Sequence, residues 1–217
     1  MFVDFQELSY KEAYRYLVST VVPRPIALVT TVDAQGTPNA APFSFFNVMG
    51  HDPPVLVLGI ERSSAGGLKD TAANIRSTGE FVVNLVSQAM AEGMNLCSRA
   101  LPPEVDEIAQ SGFTASPSYV VRPPRIAQSP VSFECREHTM VAIGEGRRIV
   151  IGAVVAMHLD DRFYDVERDH VRTLDMRLIA RMHGADWYLR TSDVFRLPRP
   201  TQEGNGLRPD PGERAPT

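Results

Sequence analysis

The sequence predicts a mainly β fold in which an antiparallel barrel carries inserted helices. Apolar runs rich in β-branched residues recur along the chain, and prolines or glycines separate them. Most of these runs follow one another directly, with few helical stretches between them. Strands in immediate succession are typical of an antiparallel barrel, whereas βαβ repeats would place a helix between each pair of strands.

Three stretches have helical signals. Ser9 and Glu12 have the spacing of a capping box, which predicts that a helix begins at Ser9. The pair Gly66-Gly67 precedes a second helix. The predicted helices are 9–20, 68–76 and an amphipathic helical region at 88–110.

The predicted strands follow from β-branched content and from alternation. A turn that ends at Gly36 joins the first two strands into a hairpin. The run 55–60 is apolar without a break, which predicts burial on both faces. Residues 131–136 instead alternate apolar and polar side chains, the pattern of a half-buried strand. The predicted strands are 26–32, 40–47, 55–60, 80–86, 131–143, 149–159 and 187–195.

Composition and charge limit the class of protein. The formal net charge is −4, which argues against a nucleic-acid surface because such surfaces need a basic field. No window reaches the roughly 18 consecutive apolar residues of a membrane-spanning helix, so we expect no membrane partner. Cys97 and Cys135 lie far apart and form no CxxC pair, so we expect reduced thiols and a cytoplasmic protein. Residues 1–197 are predicted to form one domain, and the Pro-, Gly- and charge-rich residues 198–217 a flexible tail.

Several common kinds of catalytic site have no motif in the sequence. The five histidines show no HExxH or similar ligand spacing, so no metal site is predicted. Neither a GxSxG nucleophile turn nor a GxxxxGK[ST] phosphate loop occurs. No GxGxxG follows a strand, so any nicotinamide cofactor must bind without a Rossmann site.

The best candidate for an anion site lies at the start of the second predicted helix. Gly66 and Gly67 precede that helix, where free backbone N–H groups and the helix dipole favour phosphate. The donor side chains near this point are Arg62, Ser63, Lys69 and Thr71. The alternative is an ordinary capped helix whose charges face solvent.

Residues 41–47 are the second candidate. Phe43, Phe45 and Phe46 cannot all face one core in a strand, because successive side chains alternate sides. One face then presents aromatic surface to a ligand or to another subunit. The alternative is a strand that is buried on both faces. Arg24, flanked by two prolines, is either a rigidly presented cation or a surface charge.

A set of short segments occurs in order along the chain. They are Pro23-Arg24-Pro25 with the strand that follows, Asn39-Ala40-Ala41-Pro42-Phe43-Ser44-Phe45-Phe46-Asn47, Pro53-Pro54-Val55-Leu56, Lys69-Asp70-Thr71 with Asn74-Ile75, Glu80-Phe81-Val82-Val83-Asn84, Pro123-Pro124-Arg125-Ile126, Ser129-Pro130-Val131 and Phe133-Glu134-Cys135. This ordered set resembles the flavin reductase-like, flavoredoxin-like branch of the FMN-binding split-barrel proteins. The resemblance implies a split β-barrel of the antiparallel Greek-key type.

The resemblance also implies a homodimer with FMN in a groove at the interface. The isoalloxazine and ribityl chain would be held by Arg24, Ser44, Phe45, Phe46 and Asn47. The phosphate would be held by Arg62, Ser63, Lys69, Asp70 and Thr71. In the segment 181–188, which is similar to the family's Arg-Leu-Gly-Gly…Tyr motif, His183 stands where a glycine is common. His183 therefore either contacts flavin or nicotinamide, or is a structural or solvent-facing residue.

The implied function is that of an NAD(P)H-dependent flavin reductase, which could supply reduced FMN to an oxygenase. Hydride passes directly from nicotinamide to flavin in such a reaction, so we nominate no acid, base or nucleophile. Two alternatives stay open. One is an FMN electron-transfer protein that a partner reduces, and the other is a flavin-binding protein without turnover.

Overall fold

A seven-stranded antiparallel sheet organises the chain. The computed structural model describes residues 1–99, 101–102 and 105–197. The predicted tail, 198–217, lies outside the described residues and stays a prediction. The helices are α1 Tyr10–Thr20, α2 Asp70–Thr78, α3 Ala91–Leu96 and α4 Glu107–Gln110, with 3-10 turns at Gln88–Met90, Asp161–Phe163 and Thr173–Met176.

Fourteen strands occur in the described residues. They are β1 Arg24–Pro25, β2 Ala27–Val32, β3 Pro38–Phe43, β4 Phe46–His51, β5 Pro54–Ile60, β6 Glu80–Leu85, β7 Ala115–Ser116, β8 Arg125–Ile126, β9 Val131–Ala142, β10 Arg148–Leu159, β11 Tyr164–Asp165, β12 His170–Val171, β13 Ile179–Arg181 and β14 Tyr188–Arg190. The large sheet has the order β3-β2-β6-β9-β10-β5-β4. The predicted mainly β, antiparallel fold class is confirmed.

The two edge strands of this sheet, β3 and β4, are consecutive in the chain. Only Ser44 and Phe45 separate them, so the chain crosses from one edge of the sheet to the other within two residues. The Phe45 carbonyl accepts a hydrogen bond from Gly59 N–H on β5 (2.7 Å) and fixes this corner. Within the described residues β3 and β4 do not pair, so the strand ladder stays open at this seam.

Two apolar clusters cover the two faces of β2. The inner cluster packs Ala72 and Ile75 of α2 against Phe81 and the inward side chains of β5. The second cluster packs Met94 and Cys97 of the α3 region, with residues of α4, against the opposite face. These contacts bring the start of α2 and the segment after α3 to the edge strand β3, each from its own face of the sheet.

Several sequence-based element boundaries are wrong. The predicted strand 40–47 is two strands that meet at the corner described above. The region 88–110 is broken into short helices, since Pro102 lacks an N–H and disfavours helix at the residue before it. The strand predicted over 187–195 is only the short β14.

Two predictions about burial are also wrong. Within a single chain, strand β5 is not buried on both faces, because Leu56, Leu58 and Ile60 are buried while the residues between them are half-buried. Strand β9 does not alternate as predicted, since Ser132 and Glu134 are both buried. A loop that ends at β8 covers that second face of β9 and forms hydrogen bonds with it.

Candidate functional site

A pocket of about 530 Å³ opens between β3, the start of α2 and the segment after α3. Its walls come from six short segments of the chain. The lining residues are Tyr10, Asn39, Ala40, Ala41, Pro42, Arg62, Ser63, Ser64, Lys69, Asp70, Thr71, Cys97, Ser98, Arg99, Leu101 and Glu107. The five residues predicted to hold a phosphate, namely Arg62, Ser63, Lys69, Asp70 and Thr71, all line this one pocket.

The N-terminus of α2 faces the pocket with uncapped amides. Lys69 is the N-cap residue, in an extended conformation (φ −71°, ψ 155°), and its side chain makes no capping hydrogen bond. The first intrahelical bond is donated by Ala73 N–H to the Lys69 carbonyl. The amides before Ala73 therefore remain available, and with the helix dipole they favour an anion.

A tight turn before α2 supplies a further part of the pocket rim. Ser63 N–H donates to the Gly67 carbonyl (3.1 Å) and Gly66 N–H to the Ser63 carbonyl (3.0 Å). The turn between β9 and β10 packs directly against it at Gly146, where a Cβ would lie 2.2 Å from the Gly67 carbonyl oxygen. Only glycine fits at position 146, and its close contact with Gly67 and Arg62 constrains the position of this turn.

A buried polar cluster supports the floor of the pocket. The Asn39 amide donates to the Thr71 hydroxyl oxygen (3.1 Å) and to the Thr31 hydroxyl oxygen (3.2 Å). Asn74 on α2 donates to the same Thr31 oxygen (3.1 Å). Thr31 and Thr71 are almost fully buried, and Asn39 is 9% exposed. The cluster ties β3 to the first turn of α2.

Glu107 brings a buried carboxyl to the pocket wall and protects the free edge of β3. Its Oε2 accepts a hydrogen bond from Ala40 N–H (3.3 Å), which points away from β2. Pro38 and Pro42, two positions to either side, share that outward direction and have no N–H. Burial raises the pKa of Glu107, and the nearby charges of Asp70 and Asp106 add to this effect.

Arg24 is buried and satisfied by the protein. Its guanidinium donates to the carbonyl oxygens of Val18 (2.8 Å) and Val21 (2.7 Å) at the end of α1, and to that of Met182 (3.0 Å). Its Nε lies 3.4 Å from Ser44 Oγ. Burial lowers the pKa of Arg24. Arg24 is therefore not a surface charge, and it links the β3–β4 corner to the turn that contains His183.

The predicted residues 44–47 lie beside the pocket and do not line it. Phe46 packs against the inner cluster, whereas the Phe45 ring turns the other way, 6.3 Å from the ring of Tyr14 on α1. Asn47 is exposed, and its Oδ1 accepts from Val48 N–H. The aromatic segment thus has two faces, with Phe45 on the side away from the core.

His183 lies in the turn between β13 and β14. Its ring stacks on Trp187 with a centroid distance of 5.8 Å and an interplanar angle of 15°. Trp187 is 64% exposed. The neighbouring Met182 carbonyl is held by Arg24. The pair is an exposed aromatic surface close to the corner at Ser44, and its role toward a ligand stays a prediction.

Several pocket residues have no local sequence signal. Tyr10 is held at the rim by Arg147, whose guanidinium carbon lies 4.7 Å from the ring centroid, and by Glu61 (3.5 Å from the hydroxyl). Asn39 and Glu107 are buried polar residues whose partners are distant in sequence. Ser98 and Arg99 reach the pocket only because the α3 region folds over β2.

The described residues contain no group of three or more His, Cys, Asp or Glu side chains arranged to hold a metal ion. None of the helices in this part of the chain is long and apolar enough to cross a membrane. The charged groups of the pocket are the cations Arg62, Lys69 and Arg99 and the carboxyls of Asp70 and Glu107.

A family model described as "Flavin reductase like domain" matches residues 18–174. An uncharacterised protein of Deinococcus radiodurans is 41% identical over 203 residues, which cover 91% of this chain and 89% of that protein. YwrF, an uncharacterised protein of Bacillus subtilis, is 37% identical over 200 residues, which cover 90% of this chain and 97% of YwrF.

Two solved structures are similar over nearly the whole chain. The 2-nitrobenzoate 2-nitroreductase NbaA of Pseudomonas fluorescens has a TM-score of 0.84 and 34% identity, covering 98% of this chain and 100% of its own. Component B of the nitrilotriacetate monooxygenase of Bacillus cereus has a TM-score of 0.85 and 28% identity, and the match covers 91% of this chain and 98% of component B.

Proposed function

This chain belongs to the flavin reductase-like domain family, and we propose that it binds FMN and carries hydride from NAD(P)H on that flavin. The observation that carries the proposal is the pocket at the start of α2. Lys69, Arg62 and the free backbone amides of α2 all belong to this pocket, and together they are the donor set that a phosphate monoester needs.

The pocket and the corner beside it match the two chemically different ends of FMN. The phosphate would lie at the start of α2, with the ribityl chain along β3 past Ala41 and Pro42. The isoalloxazine would then reach Ser44 and Phe45, where an aromatic side chain faces away from the core. Bound FMN would supply a ring system that accepts a hydride from nicotinamide.

The protein's part in this reaction is binding and orientation. Arg24 holds the end of α1, the corner at Ser44 and the turn at Met182 in one arrangement. A rigid corner would fix the plane of the isoalloxazine against the nicotinamide, and proximity of this kind accounts for a large part of catalysis in hydride transfer. No described residue needs to exchange a proton for this step.

We also propose that two copies of the chain form a homodimer. Strand β5 turns Val55 and Val57 to the outside of the sheet, and Ile151 on β10 lies directly opposite Val57. Ile149 and Val141 extend the same face onto β9. We call these five side chains the outer apolar face. Apolar surface of this kind on a sheet supports a two-fold homodimer.

The reduced thiols agree with a cytoplasmic location, which we also propose. Cys97 and Cys135 are both free and buried, and burial raises the pKa of Cys135 to about 12. Disulfides are rare in reducing compartments.

The electron acceptor we propose is a separate oxygenase, because component B of the Bacillus cereus monooxygenase has the same fold at 28% identity.

Rapid mixing under anaerobic conditions tests the function. The FMN-loaded protein is mixed with NADH and, separately, with NADPH, and the visible flavin absorbance is followed. Loss of absorbance faster than that of free FMN with the same donor supports a flavin reductase. An FMN protein that neither donor bleaches, but that dithionite reduces, would be an electron-transfer protein, and failure to retain FMN would contradict the proposal.

A further inference from the structure

The buried Thr71 side chain has one hydrogen-bonding capacity that none of the described residues uses. Its Oγ accepts from the Asn39 amide at 3.1 Å. A hydroxyl that accepts at its oxygen still has its own proton to donate. Among the described residues no acceptor receives that proton, although Thr71 is 1% exposed and lines the anion pocket.

The position of Asn39 explains how that proton is directed. The same amide nitrogen also donates to Thr31 (3.2 Å), which is fully buried and receives a further bond from Asn74 (3.1 Å). The bond to Thr31 therefore holds the Asn39 side chain against the sheet, and the second N–H of the same amide donates to the Thr71 hydroxyl oxygen. The Thr71 hydroxyl proton then has to point elsewhere, and the open side is the pocket.

We propose that Asn39 is a positioning residue that turns the Thr71 hydroxyl so that its O–H donates to a phosphate oxygen of the bound ligand. The inference rests on the proposed FMN function. A buried donor that finds no acceptor among the described residues costs free energy in the empty protein, and a phosphate oxygen would relieve that cost. Asn39 itself need not touch the ligand.

The test compares FMN with riboflavin, which lacks the phosphate, on variants of the complete chain. Asn39→Ala should lower FMN affinity by about 2- to 13-fold and leave riboflavin affinity unchanged, as expected for one misdirected hydrogen bond. In a Thr71→Val background, Asn39→Ala should cause no further change in the ratio of the two affinities. Asn74→Ala is the matched control, since Asn74 bonds to Thr31 and not to Thr71.

Asn39→Asp keeps the test decisive if the alanine variant does not fold. Its carboxylate can only accept, so it would take the Thr71 proton and weaken FMN selectively. Asn74→Asp, which adds the same charge next to Thr31, should weaken FMN less. The inference would be overturned if the ratio of FMN to riboflavin affinity stayed unchanged in both Asn39 variants. It would also be overturned if Asn39→Ala lowered that ratio as much in the Thr71→Val background as in the unaltered protein. Equal affinity of the unaltered protein for FMN and riboflavin would instead overturn the phosphate site itself, and this inference with it.

Discussion

The Lys69 ammonium lies over the ring of Phe43, with Nζ 5.8 Å from the ring centroid. Phe43 is the last residue of β3 and is buried in the inner cluster, whereas Lys69 is exposed at the N-cap of α2. The ring therefore holds a cation at the mouth of the pocket, at the helix end where an anion is favoured.

Lys69→Ala should weaken FMN binding selectively. Loss of a charge-assisted contact with phosphate corresponds to about 10- to 150-fold lower affinity. Riboflavin affinity should hardly change, because riboflavin has no phosphate. Fluorescence titration with both flavins measures the effect, and Lys11→Ala on the exposed surface of α1 is the control. Equal weakening of both flavins would mean that the substitution disturbs the whole pocket.

Arg24→Ala should destabilise the FMN-free protein by about 2–4 kcal/mol, because it leaves three carbonyl oxygens without their charged donor. FMN and riboflavin affinities should fall together, since the corner at Ser44 is linked to the same guanidinium. Urea unfolding measures the stability, with the exposed Arg15→Ala on α1 as control. Equal unfolding free energies for the two variants would refute the structural role of Arg24.

Stability at low pH should depend on Glu134. This fully buried carboxyl loses solvation, which by itself would raise its pKa, but hydrogen bonds from the amides of Tyr119, Val120 and Val121 and from His158 lower it below its usual 4.5. A carboxyl with a lowered pKa in the folded chain stabilises the fold above the unfolded value and loses that contribution as pH falls through the folded value.

The melting temperature of Glu134→Gln should therefore lie well below that of the unaltered protein at neutral pH. The difference should narrow as pH falls below about 4.5, where the carboxyl of the unfolded chain takes up a proton, and should be lost once pH has fallen through the lower pKa of the folded chain. Glu145→Gln, in the exposed turn between β9 and β10, should show no difference at any pH. A Glu134→Gln difference that stays constant down to acid pH would contradict this account of Glu134.

Ile151→Lys should convert the proposed homodimer into a monomer. The substitution places a charge in the centre of the outer apolar face, where Ile151 pairs with Val57. Sedimentation should give a mass near 24.0 kDa for the variant and about twice that for the unaltered protein. Ser77→Lys on the exposed side of α2 is the control and should stay dimeric. A monomeric unaltered protein with FMN bound would rule out this interface.

Local signals predicted the elements that depend on neighbouring residues. The capping box is present as predicted, with Ser9 N–H donating to Glu12 (3.0 Å) and Glu12 N–H to Ser9 Oγ (3.4 Å). The hairpin of β2 and β3 and the long pair β9–β10 were likewise predictable, from β-branched content and turn residues. In each case the decisive contacts lie within a few residues or across one turn.

The residues that sequence analysis missed depend on contacts between distant parts of the chain. Glu107 meets Ala40 across 67 residues of sequence. The sequence alternation of β9 predicts that Glu134 faces outward. It is buried instead, because amides of a loop 13 to 15 residues earlier donate hydrogen bonds to its carboxylate. No periodicity contains that information. The grouping of residues at the start of α2 in one pocket was predictable because its glycines, cation and helix start lie together in the sequence.

Titration of the FMN-free protein with FMN and with riboflavin tests the central claim most directly. The account predicts quenched flavin fluorescence that saturates at one FMN per chain, and tighter binding of FMN than of riboflavin because Lys69 and the amides of α2 act on the phosphate. No FMN binding at tens of micromolar flavin, or equal affinity for the two flavins, would contradict it.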